Sequence, residues 1–444
     1  MSSILKTVTI FRAYDVRGIY GKELTEEIAT RIGAAYGTYH SGGCISLGRD
    51  TRNSGPSVER AFLKGVLSTG CNVESFGILP LPVLSYVTFR EKLSGAGYIS
   101  ASHNPPEYNG IRFRTSEGYG LLYHQTDIIK NYQDGTFRTG NGKVREHRPE
   151  EARDTYGDYV VDKLEIRPSL KIVLDMGNGS ACKIDSLYRR LGFDPIVVNG
   201  ERDGNFSGRG AAPTADSLSQ ARGLVVEKGA DFGLGFDPDA DRGLVIDDLG
   251  RIVPPEKIAI ILAKHRYSPG DLVIAGFDCS MIVERELLEA GIKVERERVG
   301  DVYVANRVKN SGAVLGVERS AHFFLPEFQY SDDPFAMSFA LGEVISGGVK
   351  LSDLAGQIPD YPYQQRSIRC EIDVGEVMTR LEEKLSDLDP DTTDGLKITT
   401  ETYSVLIRPS NTEPLVRLYV ESIGDDIEDL LDRHERLIKD AMKR

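Results

Sequence analysis

Paired cysteines, a surplus of basic charge and long apolar runs are all missing from this 444-residue sequence, and each absence removes a class of protein. Its five cysteines, Cys44, Cys71, Cys182, Cys279 and Cys370, stand singly without a CxxC pair, so neither a disulfide framework nor cysteine-ligated zinc is expected. Basic residues number 54 against 67 acidic ones, a formal charge of -13. Nucleic acid and anionic membrane surfaces reward a basic face by counterion release, so neither is an expected partner. No stretch of about eighteen apolar residues occurs, and the amino-terminal MSSILKTVTIFRAYDVRG lacks an apolar region followed by a cleavage site. The expectation is a cytoplasmic protein, monomer or homo-oligomer, acting on a small molecule. An anionic substrate would need a locally basic pocket.

What is there is ordinary globular composition, 40% hydrophobic and 27% charged, in a chain too long for one core. From about residue 44 to 346, short β-branched runs alternate with stretches of helical period, and the order repeats three times. CISLG, CNVESFGI and AGYIS read as strands of the first unit, KIVLD, PIVVN and DFGLGF of the second, DLVIAGF, KVERERV and AVLGV of the third. A fourth segment opens with SIRCEIDV, and its helix VMTRLEEKLSDL and strand-like YSVLIRPS and LVRLYVES suggest a small α+β domain. Residues 134–150, rich in Gly, Pro and charge, read as a connector. The fold expected is α/β: three similar mixed α/β domains (1–150, 151–252, 253–365) around a central cleft, plus a C-terminal α+β domain (366–444).

In each unit the third strand empties into a polar loop, the usual home of ligands at the carboxyl ends of strands. After DFGLGF come Asp237, Asp239 and Asp241, hard oxygen ligands for magnesium or calcium. With Asp248 they occupy EF-hand positions one, three, five and twelve, but position six is Arg242 rather than the required glycine, and a strand precedes the loop. Magnesium is the expected ion, and Arg242 beside it suits a phosphate. After AGYIS, the loop SASHNPPEYNG presents Ser102 next to His103. Such a serine can merely stabilise a turn. Beside a metal and arginines it can also hold and pass a phosphoryl group. The third loop offers Glu318, Ser320 and His322, a carboxylate and hydroxyl for vicinal sugar hydroxyls plus a titratable imidazole, though it could also be a helix N-terminus. In IRPSNTEPLVR, Arg408, Ser410, Asn411 and Thr412, with Arg417 on the next strand, make a phosphate cradle. Arg49 and Arg52 in GRDTRNSG could be surface charges.

With these four loops in this order, one per domain, the sequence resembles the α-D-phosphohexomutase superfamily, which includes phosphomannomutase/phosphoglucomutase and phosphoglucosamine mutase. The resemblance implies an enzyme that interconverts hexose 1-phosphate and hexose 6-phosphate of mannose or glucose. It implies Ser102 as phosphoserine, magnesium held by Asp237, Asp239, Asp241 and a phosphoserine oxygen, and a hexose 1,6-bisphosphate intermediate. It also implies that Glu318 and Ser320 select sugar hydroxyls and that Arg408, Ser410, Asn411 and Thr412 bind the non-reacting phosphate. Tyr14 and Arg17 in FRAYDVRG match its amino-terminal signature. Arg112 stands where the family commonly has a lysine; arginine stays protonated, which shifts acid/base work toward His103 or His322. Arg319 and Ala321 replace residues more usually Met, Gln or Pro, and Gly. Three other readings stay open: phosphoglucosamine mutase, which VGDVYVAN at 299–306 resembles; a magnesium-dependent sugar phosphatase; and a calcium- or sugar-binding protein without catalysis. MGNGSAC faintly suggests a dinucleotide loop but lacks its third glycine.

Overall fold

The computed structural model describes residues 10–12, 15–164, 169–410 and 414–443; Tyr14, Asn411 and Thr412 lie outside them. Three mixed sheets with helices on their faces follow one another along the chain, and an antiparallel sheet with two long helices closes it. The first sheet has the order Val16–Ile19, Tyr108–Arg114, Gly95–Ile99, Cys44–Arg49, Asn72–Ile78, Val144–Glu146. Gly95–Ile99, Cys44–Arg49 and Asn72–Ile78 run parallel, which requires helical crossovers. Gly55–Leu67 and Leu81–Arg90 supply them. Residues 134–150, expected as a connector, contribute the edge strand Val144–Glu146 and begin the helix Pro149–Val161. Three exposed residues held by one neighbour carry too little periodicity to show as a strand in the sequence.

The same local plan recurs in each of the three sheets. A buried parallel strand ends, a short loop turns back, and an antiparallel strand pairs with it. Gly95–Ile99 turns into Tyr108–Arg114, Phe232–Phe236 into Gly243–Asp247, and Leu315–Val317 into Phe323–Phe324. The three turns therefore leave equivalent strand ends, and the sheets converge so that they meet. In the fourth unit, Tyr363–Arg369, Leu415–Ser422, Tyr403–Pro409 and Leu396–Thr399 pair antiparallel, one face covered by Val374–Leu385 and Ile427–Met442.

Packing divides the molecule unequally. One continuous core runs from Phe76, Leu84 and Tyr98 through Leu174 and Phe236 to Val273, Val317 and Phe339, so parts of the first three units share buried apolar surface. The fourth unit keeps its own core, built on Val377, Leu381, Val405, Leu418 and Leu431. It meets the third unit largely through polar contacts: Lys397 Nζ donates to the Phe277 carbonyl at 2.8 Å, the Met281 amide to Glu421 at 2.8 Å, and the Val299 amide to Asp394 at 2.9 Å.

Candidate active site

Three of the turns share one backbone peculiarity. Ser102, Ala240 and Ala321 all lie in the left-handed region, with φ of 50°, 58° and 70°. Each costs on the order of 1 kcal/mol for a residue with a Cβ, and such strain collects where a loop must aim a side chain or amide.

Ser102 is held from behind. Its amide donates to Ser100 Oγ at 2.8 Å, and Arg52, fully buried, spreads its guanidinium over the carbonyls of Ser102, Asn104, Pro105 and Tyr108 while pairing with Asp50 at 3.0 Å. Arg52 is thus no surface charge. It donates to four carbonyls of the turn and the start of the strand that follows. Arg49 pairs with Glu59 at 2.8 Å. Arg17 bonds Asn104 Oδ1 at 2.9 Å and so braces the same turn from the amino-terminal strand.

In front of Ser102 stands the acidic loop of the second unit. The serine hydroxyl donates to Asp237 Oδ2 at 2.9 Å, and His103 Nδ1 lies 3.2 Å from Ser102 Oγ. Asp237, Asp239 and Asp241 are completely buried, and each offers a carboxylate oxygen within 4.8 Å of the others. Among the described residues Asp239 Oδ1 has no hydrogen-bond partner, and Asp241 Oδ1 has only the 3.5 Å approach of His322 Nε2. Burial, then Asp239 and Asp241, push the Asp237 carboxyl well above the ordinary carboxylate range. Orphaned anionic oxygens in a dry site are costly unless a cation takes them. Hard oxygens clustered this way fit a magnesium ion, with Asp237, Asp239 and Asp241 holding it and Ser102 adjacent.

Arg112 crosses into this loop from the strand Tyr108–Arg114. It donates to Asp239 Oδ2 at 2.9 Å and also contacts Asp241 and Asp301, with Asp332 at 3.9 Å. Against the cost of burial, those carboxylates raise its pKa further, so it is a fixed cation rather than a base. Much of its charge answers carboxylates, which leaves less of it for a phosphate. Arg114, also buried, pairs with Asp332 at 3.2 Å. Asp301 and Asp332 were not singled out in the sequence. Only Asp301, first residue of the helix Asp301–Ser311 in VGDVYVAN, gave a hint.

The third loop closes the ring. His322 Nδ1 lies 2.7 Å from Glu318 Oε2 and 3.1 Å from Ser320 Oγ, and the Gly300 amide donates to Glu318 Oε1 at 2.7 Å. Burial and Arg242 oppose protonation of His322, but Asp241 and Glu318 outweigh them and raise it to about 10, so the ring is a cation at neutral pH. Arg242 Nε sits 3.2 Å from His322 Nε2, a like-charge approach that an adjacent dianionic group would relieve. His103 goes the other way. Arg242 first, then burial and Arg17, drive it down to about 2, so it is neutral.

In the fourth unit Arg408 pairs with Asp394 at 2.9 Å, and the same Asp394 oxygen accepts from the Val299 amide, which ties the arginine to the third unit. The strand register sets Arg408 opposite Arg417, side by side on one sheet face. The Ser410 amide closes the turn on the Leu415 carbonyl at 2.9 Å. Ser102, His103, Arg112, Asp237, Asp239, Asp241, Arg242, Glu318, Ser320 and His322 are therefore joined by contacts, with Arg17 reaching them through Asn104. Arg408, Ser410 and Arg417 stand on a separate sheet.

Four family models match the chain in order: phosphoglucomutase/phosphomannomutase alpha/beta/alpha domain I over residues 8–138, domain II over 154–250, domain III over 254–361, and the C-terminal domain over 368–436. A protein of Methanopyrus kandleri named "Probable phosphoglucosamine mutase" is 32% identical over 94% of this chain and 94% of its own length. A "Phosphoglucomutase/phosphomannomutase" of Thermococcus kodakarensis is 31% identical over 98% of this chain and 99% of its own. Among solved structures, a phosphoglucomutase/phosphomannomutase family protein from Burkholderia thailandensis superposes with a TM-score of 0.89 at 27% identity, covering 98% of this chain and 97% of that one.

Proposed function

The chain belongs to the phosphoglucomutase/phosphomannomutase family, and from that premise we propose that it moves a phosphoryl group between the C1 and C6 oxygens of a hexose through Ser102. Hexose-phosphate mutase activity is supported by the four matched domains and by full-length relatives of that name. The sugar is the finer part of the proposal. Glucosamine phosphate is favoured by the Methanopyrus relative, glucose and mannose phosphates by the Thermococcus one.

One observation carries the role of Ser102: a strained, buried hydroxyl 2.9 Å from a carboxylate of a three-aspartate cluster, with guanidinium and imidazolium charge around it. Phosphoryl transfer passes through a loose, highly charged transition state, so the work is positioning and electrostatic stabilisation. A magnesium ion on Asp237, Asp239 and Asp241 would supply Lewis-acid stabilisation of phosphoryl oxygens. The chain's own groups do the rest. Arg52 fixes the backbone of the turn, Arg17 and Arg242 flank the place a phosphate would occupy, and the His322 cation faces it. His103 Nδ1, 3.2 Å from Ser102 Oγ, would take the serine proton when Ser102 receives a phosphoryl group and would return it when phosphoserine donates, with the sugar hydroxyl's own proton exchanged with solvent. Charge on Arg242 and Arg17 holds that nitrogen down; a phosphate dianion against them would move it back toward the range of a working base. Glu318 and Ser320 would grip vicinal hydroxyls, and Arg408, Ser410, Asn411, Thr412 and Arg417 the non-reacting phosphate. A hexose 1,6-bisphosphate released from Ser102 then turns end for end and returns its other phosphate. The fourth unit's separate core allows it to close on the substrate and keep water from the phosphoserine.

The test is covalent. Intact-mass analysis of purified protein should show a phosphate adduct that Ser102→Ala lacks, and that variant should lose mutase turnover. Mutase activity near the native level in Ser102→Ala would refute the reading. Release of inorganic phosphate in place of isomer would point to a phosphatase.

A further inference from the structure

The sugar loop borders a second feature that the mechanism above leaves unused. Between the third and fourth units lies a cavity of about 450 Å3 lined by Asp278, Arg319, Ser320, Tyr363, Gln365 and Tyr419 among others. That is within the range of small-ligand sites. Its wall shares Ser320 with the turn that holds Glu318 and His322.

We propose that Asp278 is the specificity-determining residue of this cleft, a carboxylate that receives the ammonium group at C2 of a hexosamine phosphate. The proposal rests on the mutase reading above and names its substrate class.

Position is the first reason. A Cβ placed on Gly276 would meet Asp278 Oδ1 at 3.3 Å and Glu318 Cγ at 3.5 Å, so the two acidic side chains stand next to each other over the end of the strand Leu272–Gly276. If Glu318 holds ring hydroxyls, the substituent on the neighbouring carbon falls beside Asp278. A Cβ at 276 would sit tight against Asp278 Oδ1 and in ordinary contact with Glu318, so glycine leaves room beside the Asp278 carboxylate.

The second reason is that Asp278 lacks a partner. Its Oδ1 is buried without a hydrogen bond, and among the described residues no ion pair reaches either of its carboxylate oxygens. The nearby cations are engaged elsewhere. Arg319 lies flat over the Tyr363 ring at 3.7 Å and turns its Nη1 to the Asp278 backbone carbonyl and to Glu256, each at 3.3 Å. Lys397 donates to the Phe277 carbonyl, and Arg408 pairs with Asp394. Burial first, then Glu318, raise Asp278 to about 6 in spite of Arg319 and Arg408. A carboxylate in that position is destabilised until a cation or proton reaches it. A substrate that brings a phosphate to Arg408 and an ammonium to Asp278 would meet a matching charge at both ends. Glucose or mannose phosphate would leave Asp278 unanswered, and an N-acetylated sugar would bring a neutral amide.

The experiment measures kcat/KM of the purified magnesium-loaded enzyme with glucosamine, glucose and N-acetylglucosamine phosphates, for wild type and Asp278→Asn. Wild type should prefer glucosamine phosphate over both others by about tenfold or more. In Asp278→Asn the ratio of glucosamine to glucose efficiency should fall by about 10- to 150-fold, the range for a hydrogen bond to a charged group. An unchanged ratio overturns the proposal. Should the variant fail to fold, the wild type alone decides: equal efficiency on glucosamine and N-acetylglucosamine phosphates, or preference for glucose phosphate, also overturns it. An enzyme inactive on all three and on mannose phosphate would instead overturn the mutase reading itself.

Discussion

Replacing Arg112 with methionine removes a cation that links the first unit to the second and third. Its guanidinium lies 2.9 Å from Asp239, also touches Asp241 and Asp301, and has Asp332 at 3.9 Å, all with side chains at most 7% exposed. At an effective dielectric constant near 20, a single contact at about 4 Å is worth roughly 4 kcal/mol before desolvation. Desolvation of the arginine offsets much of that sum in the wild type. In the variant the carboxylates stay buried without their partner, and breaking a buried pair from one side typically costs about 3–5 kcal/mol. Urea unfolding followed by far-ultraviolet circular dichroism in chelator should show that loss in the transition of the shared core. Magnesium supplies a second measurement. Loss of Arg112 frees Oδ2 of Asp239 and of Asp241 beside the orphaned Oδ1 atoms of the same two carboxylates, leaving the cluster more negative, so magnesium should raise the midpoint more in Arg112→Met than in wild type. A variant within about 1 kcal/mol of wild type in chelator, or one that gains no more from magnesium, would refute the idea that guanidinium and metal answer the same acids.

Arg52→Met should destabilise the first unit by about 3–5 kcal/mol, because four carbonyls and Asp50 lose their donor, and should also lower the phosphorylated fraction seen by mass; an intact adduct at native occupancy would contradict the bracing role. Ala321→Gly removes a Cβ from a residue with φ of 70° and should stabilise by about 0.5–1 kcal/mol after the added unfolded-state entropy, measured by thermal melting; no gain or a loss would show that the turn is unstrained. Asp278 is raised in the folded state to about 6 from 3.8, so its contribution is fully present below pH 3.8 and is lost as pH rises through 6. Asp278→Asn should therefore be the more stable protein at pH 7, by about 1–3 kcal/mol, with the difference shrinking toward pH 4; a difference independent of pH would contradict the assignment.

Much of the candidate site could be read in one dimension because its parts are short contiguous loops. A strand followed by Asp237, Asp239 and Asp241, or by Ser102 and His103, declares its chemistry within six residues. Strand and helix periods placed those loops at equivalent strand ends, and the three mixed sheets and antiparallel fourth agree with that. The weak edge strand Val144–Glu146 passed as a connector because exposed residues at a sheet edge need no apolar alternation.

What composition and local pattern determined on their own was the α/β class, the number of units and the oxygen-rich and cationic character of each loop, since these follow from periodicity and side-chain chemistry that a residue carries wherever it sits. Which charges meet was decided by packing. Arg112 finds Asp239, Asp241 and Asp301 at separations of 127, 129 and 189 residues, and Arg52 spans about fifty residues to reach the serine turn. Neighbouring charge then sets opposite fates for two imidazoles that burial alone would keep neutral: His103 beside two guanidiniums is neutral, while His322 between two carboxylates is a cation. Such pairings depend on distance and dielectric in three dimensions, and neither quantity is written in the order of residues along a chain.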